Sequence, residues 1–315
     1  MNTTNKKITE NPGCPSVAII ILNWNGYAHT SGCLSSLRKV SYPHFKTIVI
    51  DNGSKDGSDQ KLEEEYPEII LLRNSENKGF TGGNNTGIEY ALDLDFEYLM
   101  LLNNDTEVEP DFLDEMVKVI DLDPSIGAVQ PKFYFLLNKE RIWNAGGTFI
   151  KSLGWVRTVG ENKTSQDKYD KAKTTEWITG CCFMVRTEIV RKIGGLNDRF
   201  FIYYEDVEWS LRIKALGYKL GYCPKAIIYH EAGGSSKNST AGKEGLLSPF
   251  VHYYATKNNI LVLRKYTPWY FIPSVVFFHS IKYVGFIGYF VFRKRIQKIK
   301  YLYFGLKDGL LGKGL

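Results

Sequence analysis

Six polar clusters in this chain carry residues able to do chemistry, and most follow a short apolar run: Asn23-Trp24-Asn25, Asp51-Asn-Gly-Ser54, Asn77 to Gly87, Asn103-Asn104-Asp105, Glu205-Asp206 and His230. Asp51 ends Ile48-Val-Ile50. Its ionised carboxylate only accepts hydrogen bonds, so it suits the N3–H of a uracil or thymine. Asx residues also cap turns, and that reading accounts for Asp51 alone equally well. Asn77-Lys78-Gly79-Phe-Thr-Gly-Gly-Asn-Asn85-Thr-Gly87 reads as a glycine- and asparagine-rich loop entering a helix. Such a loop lets backbone N–H groups approach a phosphate, and the helix start favours an anion. It is neither G-x-G-x-x-G nor the P-loop.

Asp105 closes another strand-like run, where a carboxylate is placed to bind a hard cation through oxygen. Glu205-Asp206 opens a helical segment. The helix dipole explains two acids there, and a general base is the functional alternative. His230 ends a strand-like run before Gly233. A lone His is more often structural, but neutral imidazole is also a common metal ligand.

These clusters need elements to hold them. Val17–Leu22, Lys46–Ile50, Glu68–Leu72 and Tyr98–Leu102 are continuous apolar runs, as expected of strands buried on both faces. Helical spacing follows each one, over Tyr27–Val40, Ser58–Tyr66, Gly82–Leu94 and Pro110–Leu122, the last with Pro in its first turn. Four strand–helix alternations with short connections predict a doubly wound α/β half. In such folds ligands sit beyond the carboxyl ends of the strands. After Ile126 the pattern turns α+β. Strands are expected at Val129–Leu137, Thr148–Lys151, Cys182–Arg186 and Ala226–His230, with a helix at Glu205–Leu216. The expected division is a disordered lead-in over 1–16, a catalytic domain over 17–250 (halves 17–125 and 126–250), and a helical region over 251–315.

The net charge is +6, yet residues 251–315 hold eleven Lys or Arg and one acid, leaving the remainder mildly acidic. Such a basic, aromatic tail fits a membrane surface or a nucleic acid. Pro268 to Phe292 is nearly all apolar, long enough for a membrane span, but basic on both flanks. A re-entrant hairpin or interfacial helices fit better, with a soluble helical pair as the alternative. Five cysteines without a CxxC spacing suggest free thiols rather than a disulfide framework or a zinc site.

Together and in this order, the clusters resemble family 2 glycosyltransferases of the GT-A fold, particularly the rhamnosyltransferase-like branch. The markers are Ile21-Leu-Asn-Trp-Asn25, Val49-Ile-Asp-Asn-Gly-Ser54, Asn77 to Gly87, Leu102-Asn-Asn-Asp105, Trp177-Ile-Thr-Gly180, Tyr204-Glu-Asp206 and Tyr229-His230. The resemblance implies an inverting hexosyl transfer from a nucleoside-diphosphate sugar, dTDP-rhamnose or a UDP-hexose, to a glycan or lipid-linked glycan. It implies that Asp51, Asn23, Asn25, Asn77, Lys78, Gly79, Asn85, Asn103 and Asn104 hold the nucleotide sugar. Asp105 and His230 would hold Mg²⁺ or Mn²⁺, and Asp206 would be the base. Trp177, Gly180 and Glu205 would border the acceptor. Asn103 stands where the family's Asp-x-Asp signature has its first acid, which removes one charge from the metal site. The expected location is the cytoplasmic face of the cell membrane, with no nucleic-acid partner.

Two other classes compete. A dinucleotide-dependent oxidoreductase needs a glycine-rich first turn, and Asn23 to Tyr27 offers one Gly. A non-catalytic membrane adaptor would leave the acidic clusters without purpose.

Overall fold

The computed structural model describes residues 14–231, 237–242 and 244–313. The first half contains β1 (Val17–Asn23), α1 (Tyr27–Leu37), β2 (Phe45–Asn52), α2 (Ser58–Glu65), β3 (Ile70–Asn74), α3 (Gly79–Leu92), β4 (Tyr98–Asn103), β5 (Thr106–Val108) and α4 (Phe112–Leu122). The second contains β6 (Ile126–Phe135), β7 (Asn138–Asn144), β8 (Gly147–Ile150), β9 (Trp155–Thr158), β10 (Lys173–Thr175), β11 (Cys182–Arg186), α5 (Thr187–Ile193), α6 (Glu205–Ala215) and β12 (Lys219–His230). After them come the hairpin β13 (Lys237–Gly242) and β14 (Gly245–Leu247), then α7 (Pro249–Tyr266), α8 (Ile272–Phe292) and α9 (Ile296–Leu311).

A ten-stranded mixed sheet runs β10-β12-β6-β11-β4-β1-β2-β3, with β5 beside β12 and β7 beside β6. The apolar runs are explained by cover on both faces. Ile19 and Ile21 pack with Leu34, Leu37 and Met116 on one side, and Ala18 and Ile20 with Ile88, Ala91 and Ile213 on the other. Strand order grows outward from β1 through β2 to β3, then reverses, placing β4 on the other flank of β1. A crevice opens beyond the strand ends at such a reversal. The parallel register sets Asn23 opposite Asp51 and Leu22 opposite Asn103.

Several expectations need correction. The stretch read as a glycine-rich loop is already helical from Gly79. At Gly83 and Gly87 this helix lies so close to the sheet that an added Cβ would meet Leu22 at 2.3 Å and Ile20 at 2.6 Å. Pro110 precedes the capping Asp111 and lies outside the first turn of α4. Of the lead-in, residues 1–13 lie outside the described residues, and so does Gly233. Cys14–Ser16 are tied down, with Cys14 and Pro15 carbonyls accepting from His44 and Tyr42 and the Ser16 N–H donating to Glu97.

The C-terminal stretch holds no re-entrant break. A short 3-10 turn at Trp269–Phe271 leads into one continuous helix, α8. The preceding helix, α7, is seated in the catalytic part: Leu261, Val262 and Leu263 pack with Phe149, Trp177, Val207 and Leu211. One side of α8 meets the β8–β9 hairpin. Val275 joins the same cluster, Ser274 Oγ donates to the Ser152 carbonyl at 2.6 Å, and Trp155 meets Phe278. The other side is bare: Phe277 and Val284 are each 69% exposed.

Candidate functional site

The nucleotide-side cluster is built from asparagines that spend their amides on one another. Asn23 is fully buried at the end of β1. Its Nδ2 donates to Asp51 Oδ1 and to Ser58 Oγ, both at 2.8 Å. Its Oδ1 accepts from Thr30, whose hydroxyl oxygen accepts from Asn104 Nδ2 at 2.9 Å. This relay, Asn104–Thr30–Asn23–Asp51, joins the end of β4 to the end of β2. Asn23 therefore orients Asp51 rather than lining a pocket. Asp51 is 4% exposed, and its second oxygen accepts the Ser54 N–H at 3.0 Å. Each carboxylate oxygen keeps a free lone pair. Asn25, left-handed at φ 48°, accepts the Lys55 N–H and reaches the cleft wall.

Asn52 was not singled out in the sequence, yet it fixes the start of α3. Its Nδ2 donates to Asn77 Oδ1 and the Gly79 carbonyl, while its Oδ1 accepts from the Lys78 N–H. Gly79 has φ 73°, and a Cβ there would lie 2.5 Å from the Phe201 ring, so only glycine fits. Lys78 precedes the helix as its cap and is exposed. Asn85 was expected at the nucleotide but points elsewhere. It donates to the Leu196 carbonyl and Asp198 and accepts the Leu196 N–H, pinning α3 to the segment after α5. Its asparagine type in a glycine-rich context was the misleading signal.

Asp105 and His230 meet through β5. Thr106 pairs with His230 across β5 and β12, and this brings His230 Nε2 to 3.2 Å from Asp105 Oδ1. His230 is buried and the Asp105 side chain is 12% exposed, and His230 Nδ1 makes no hydrogen bond. Burial opposes the Asp105 carboxylate, but His230 outweighs it and holds the pKa below the usual value. Burial likewise opposes imidazolium, yet Cys181 and Asp105 push His230 up to about 10. Trp143 abuts the His230 ring at 4.2 Å, a neighbour nothing in the sequence marks.

Asp206 opens α6. Its Oδ2 accepts the Gly180 N–H at 2.9 Å and its Oδ1 the Val207 N–H at 2.7 Å. Burial nevertheless raises its pKa above the usual carboxylate value, against these two donors. Glu205 is 5% exposed with an unsatisfied Oε2. Burial, then the neighbouring Asp206 charge, pushes it well up, so it stays protonated when Asp206 ionises. The turn entering this helix is strained. Tyr203 and Tyr204 are both left-handed, at φ 70° and 69°. Each such non-glycine residue costs about 1–3 kcal/mol. Trp177 is 7% exposed and donates its Nε1–H to the Thr148 carbonyl.

Two adjoining cavities result. One, of about 590 Å³, is lined by Trp24, Asn25, Asn52, Asn77, Gly79 and Asn104. The other, of about 630 Å³, is lined by Trp143, Trp177, Gly180, Glu205, Asp206 and His230. They share Phe80, Asn103, Asp105 and Ile202. The first sets the amides of Asn25, Asn52, Asn77 and Asn104 among apolar walls such as Leu22, Phe80 and Phe201; the second is walled by aromatic rings around the Asp206 carboxylate. Asp105 stands between them.

The sequence profile described as Glycosyl transferase family 2 matches residues 18–194. A hexosyltransferase of low-salt glycan biosynthesis from Haloferax volcanii, Agl10, is 27% identical over 68% of this chain and 66% of its own length. An N-acetylglucosaminyl-diphospho-decaprenol L-rhamnosyltransferase of Mycobacterium tuberculosis is 23% identical over 70% of this chain and 78% of its own. Among solved structures, GalNAc-T7 with UDP, GalNAc and Mn²⁺ aligns with a TM-score of 0.60 at 18% identity, over 80% of this chain and 48% of that one. A mannosyltransferase from Pyrobaculum calidifontis with GDP-Man and Mn²⁺ aligns with a TM-score of 0.57 at 16% identity, over 95% and 88%. The fold is the GT-A fold of these structures, and the chain belongs to glycosyl transferase family 2.

Proposed function

We propose that this protein transfers a hexose from a nucleoside-diphosphate sugar to an acceptor hydroxyl with inversion at the anomeric carbon. The observation that carries the reading is the pair of cavities meeting at Asp105, with a half-buried carboxylate, Asp206, in the second alone. The nucleoside diphosphate occupies the first, with Asp51 accepting the pyrimidine N3–H and Asn25, Asn77, Asn103 and Asn104 along the ribose and phosphates. Lys78 supplies a further cation at the phosphate end. The acceptor occupies the second, against Trp177, Gly180 and Glu205.

In the transfer step Asp206 takes the proton of the acceptor hydroxyl. The acceptor oxygen bonds to the anomeric carbon while the bond from that carbon to the diphosphate breaks, and its electron pair leaves with the diphosphate. One displacement from the face opposite the leaving group inverts the configuration, by the logic of inverting glycoside hydrolysis. Glu205, whose pKa burial and the Asp206 charge push up, leaves Asp206 as the ionised member of that pair.

The residues around Asp105 fit a divalent cation in part. Asp105 Oδ1 and His230 Nε2 sit 3.2 Å apart, an oxygen and a nitrogen donor close enough to share one cation. Among the described residues no third His, Cys, Asp or Glu joins them, since Asn103 stands beside the site. Asp105 and His230 would hold Mg²⁺ or Mn²⁺, whose chemistry is to offset charge on the leaving diphosphate.

The relatives' names guide the finer reading: dTDP-rhamnose as donor, with a UDP-hexose as the alternative that the sequence resemblance allows, and a glycan on a polyprenyl diphosphate as acceptor. A bilayer is the natural occupant of the bare side of α8. Phe277, Val284 and Phe292 are exposed there, with exposed Arg293, Lys294 and Lys300 beside them for anionic headgroups. The β8–β9 hairpin, whose Val156 and Thr158 line the acceptor cavity, rests on the opposite side of α8. In this reading the acceptor cavity lies next to the lipid, on the cytoplasmic face where nucleotide sugars are found.

Four measurements test this. Asp206→Asn should lower kcat by at least 10³-fold, about 4 kcal/mol at the barrier, while UDP or dTDP still stabilises the protein to heat. Because Asp206 acts ionised and its pKa is raised, wild-type kcat/KM should fall with decreasing pH at a point above the ordinary carboxylate value of about 3.9. Glu205→Gln should leave that limb in place; near-normal turnover by Asp206→Asn would remove it as the base. Asp105→Ala should abolish the extra thermal stabilisation that Mn²⁺ adds to the nucleotide complex, and an unchanged Mn²⁺ titration would refute its ligand role. The protein should sediment with vesicles containing anionic lipid, and Phe277→Asp with Val284→Asp should prevent it; a soluble wild type in the presence of such vesicles would refute the docking face.

A further inference from the structure

We propose that Asn258, on α7, is a positioning residue for the base Asp206, acting through the turn that starts α6. The inference rests on the reading of Asp206 as the base. Asn258 is fully buried. Its Nδ2 donates to two successive carbonyls, Ile202 at 2.9 Å and Tyr203 at 2.8 Å. The next two φ angles after Ile202 are the left-handed ones, at Tyr203 and Tyr204. Two consecutive non-glycine residues in that region persist only when their surroundings over-determine them. The paired carbonyls are what Asn258 fixes. Tyr204 is the residue immediately before α6, so its backbone angles set where the next two side chains, Glu205 and Asp206, are aimed.

The body of α6 is held separately. Glu208, fully buried, accepts from Lys265 Nζ at 2.9 Å and Tyr266 Oη at 2.8 Å, both on α7, and from Arg212 at 2.7 Å. Packing of Val207 and Leu211 against Leu261 and Val262 adds to this. Removing the Asn258 amide therefore releases the turn while the helix stays docked. The consequence is specific: the base loses its aim, while the asparagine relay at the ends of β1, β2 and β4 does not touch Asn258. A catalytic residue of the α/β core thus depends on a side chain from the C-terminal helical region, beyond the segment matched by the family profile.

The test compares full-length Asn258→Ala and Asn258→Gln with wild type, reading release of nucleoside diphosphate from the sugar donor and the dissociation constant of UDP or dTDP, whichever stabilises the wild type. Asn258→Ala should lower kcat at least tenfold with nucleotide affinity within twofold. Asn258→Gln, which keeps an amide on a longer arm, should recover part of that loss. Turnover of Asn258→Ala within twofold of wild type overturns the proposal. So does an equal loss of kcat and nucleotide affinity in both variants, which is the mark of general destabilisation. Asp206→Asn is measured alongside: if it alone turns over normally, the base assignment fails, whereas an inactive Asp206→Asn beside a normal Asn258→Ala sinks only the positioning role.

Discussion

The parallel ladder across β2, β1 and β4 is the constraint on which the rest depends. Its register sets Asn23 beside Asp51, and Leu22 beside Asn103, at one edge of the sheet. Side chains that leave a buried strand at the same level share one crevice, and the reversal of strand order at β1 keeps a helix from covering it. A slip of one residue would turn each of these side chains to the opposite face. The relay from Asn104 through Thr30 and Asn23 to Asp51 then locks the edge, because each of these polar groups hydrogen-bonds the next.

The second half of the chain adds to that edge. β11 runs antiparallel to β4, so the residues before it, Gly180 and Cys181, arrive beside Asn103. β12 ends there too and delivers His230. Finally α6, entered by a strained turn and braced by α7, presents Asp206 to the Gly180 N–H. The two cavities differ in character for this reason. One is the end of a parallel sheet lined by amides. The other is a space between added elements, walled by Trp143, Trp177 and Tyr204.

The central strands were legible because burial on both faces writes itself as unbroken apolar runs: antiparallel β11 was placed to the residue, and parallel β1 within one. The start of α3 was not. Glycines disfavour helix by propensity, but here Gly83 and Gly87 are chosen for close approach to Leu22 and Ile20, and packing overrides propensity. Asp105 and His230 were picked out singly from chain position and residue type, and the family resemblance alone put them at one metal. The contact between them was out of reach, since it is made by β5, a strand of three residues too short to show a pattern. Asn85 and Asn23 were recognised as special, but their bonds to the Leu196 backbone and to Asp51 were not legible, because residue type does not say which way an amide points. Asn258 gave no signal, as its role exists only where α7 crosses the turn before α6. The apolar C-terminal stretch was legible in composition but not in shape; the unbroken α8 follows from helix packing against the β8–β9 hairpin.

The central claim is a single displacement, with Asp206 and the leaving diphosphate on opposite faces of the anomeric carbon. Proton NMR of the first product formed from a nucleotide sugar of defined configuration tests it most directly. The account predicts a product whose anomeric centre is opposite to that of the donor. A product that keeps the donor's configuration would contradict it.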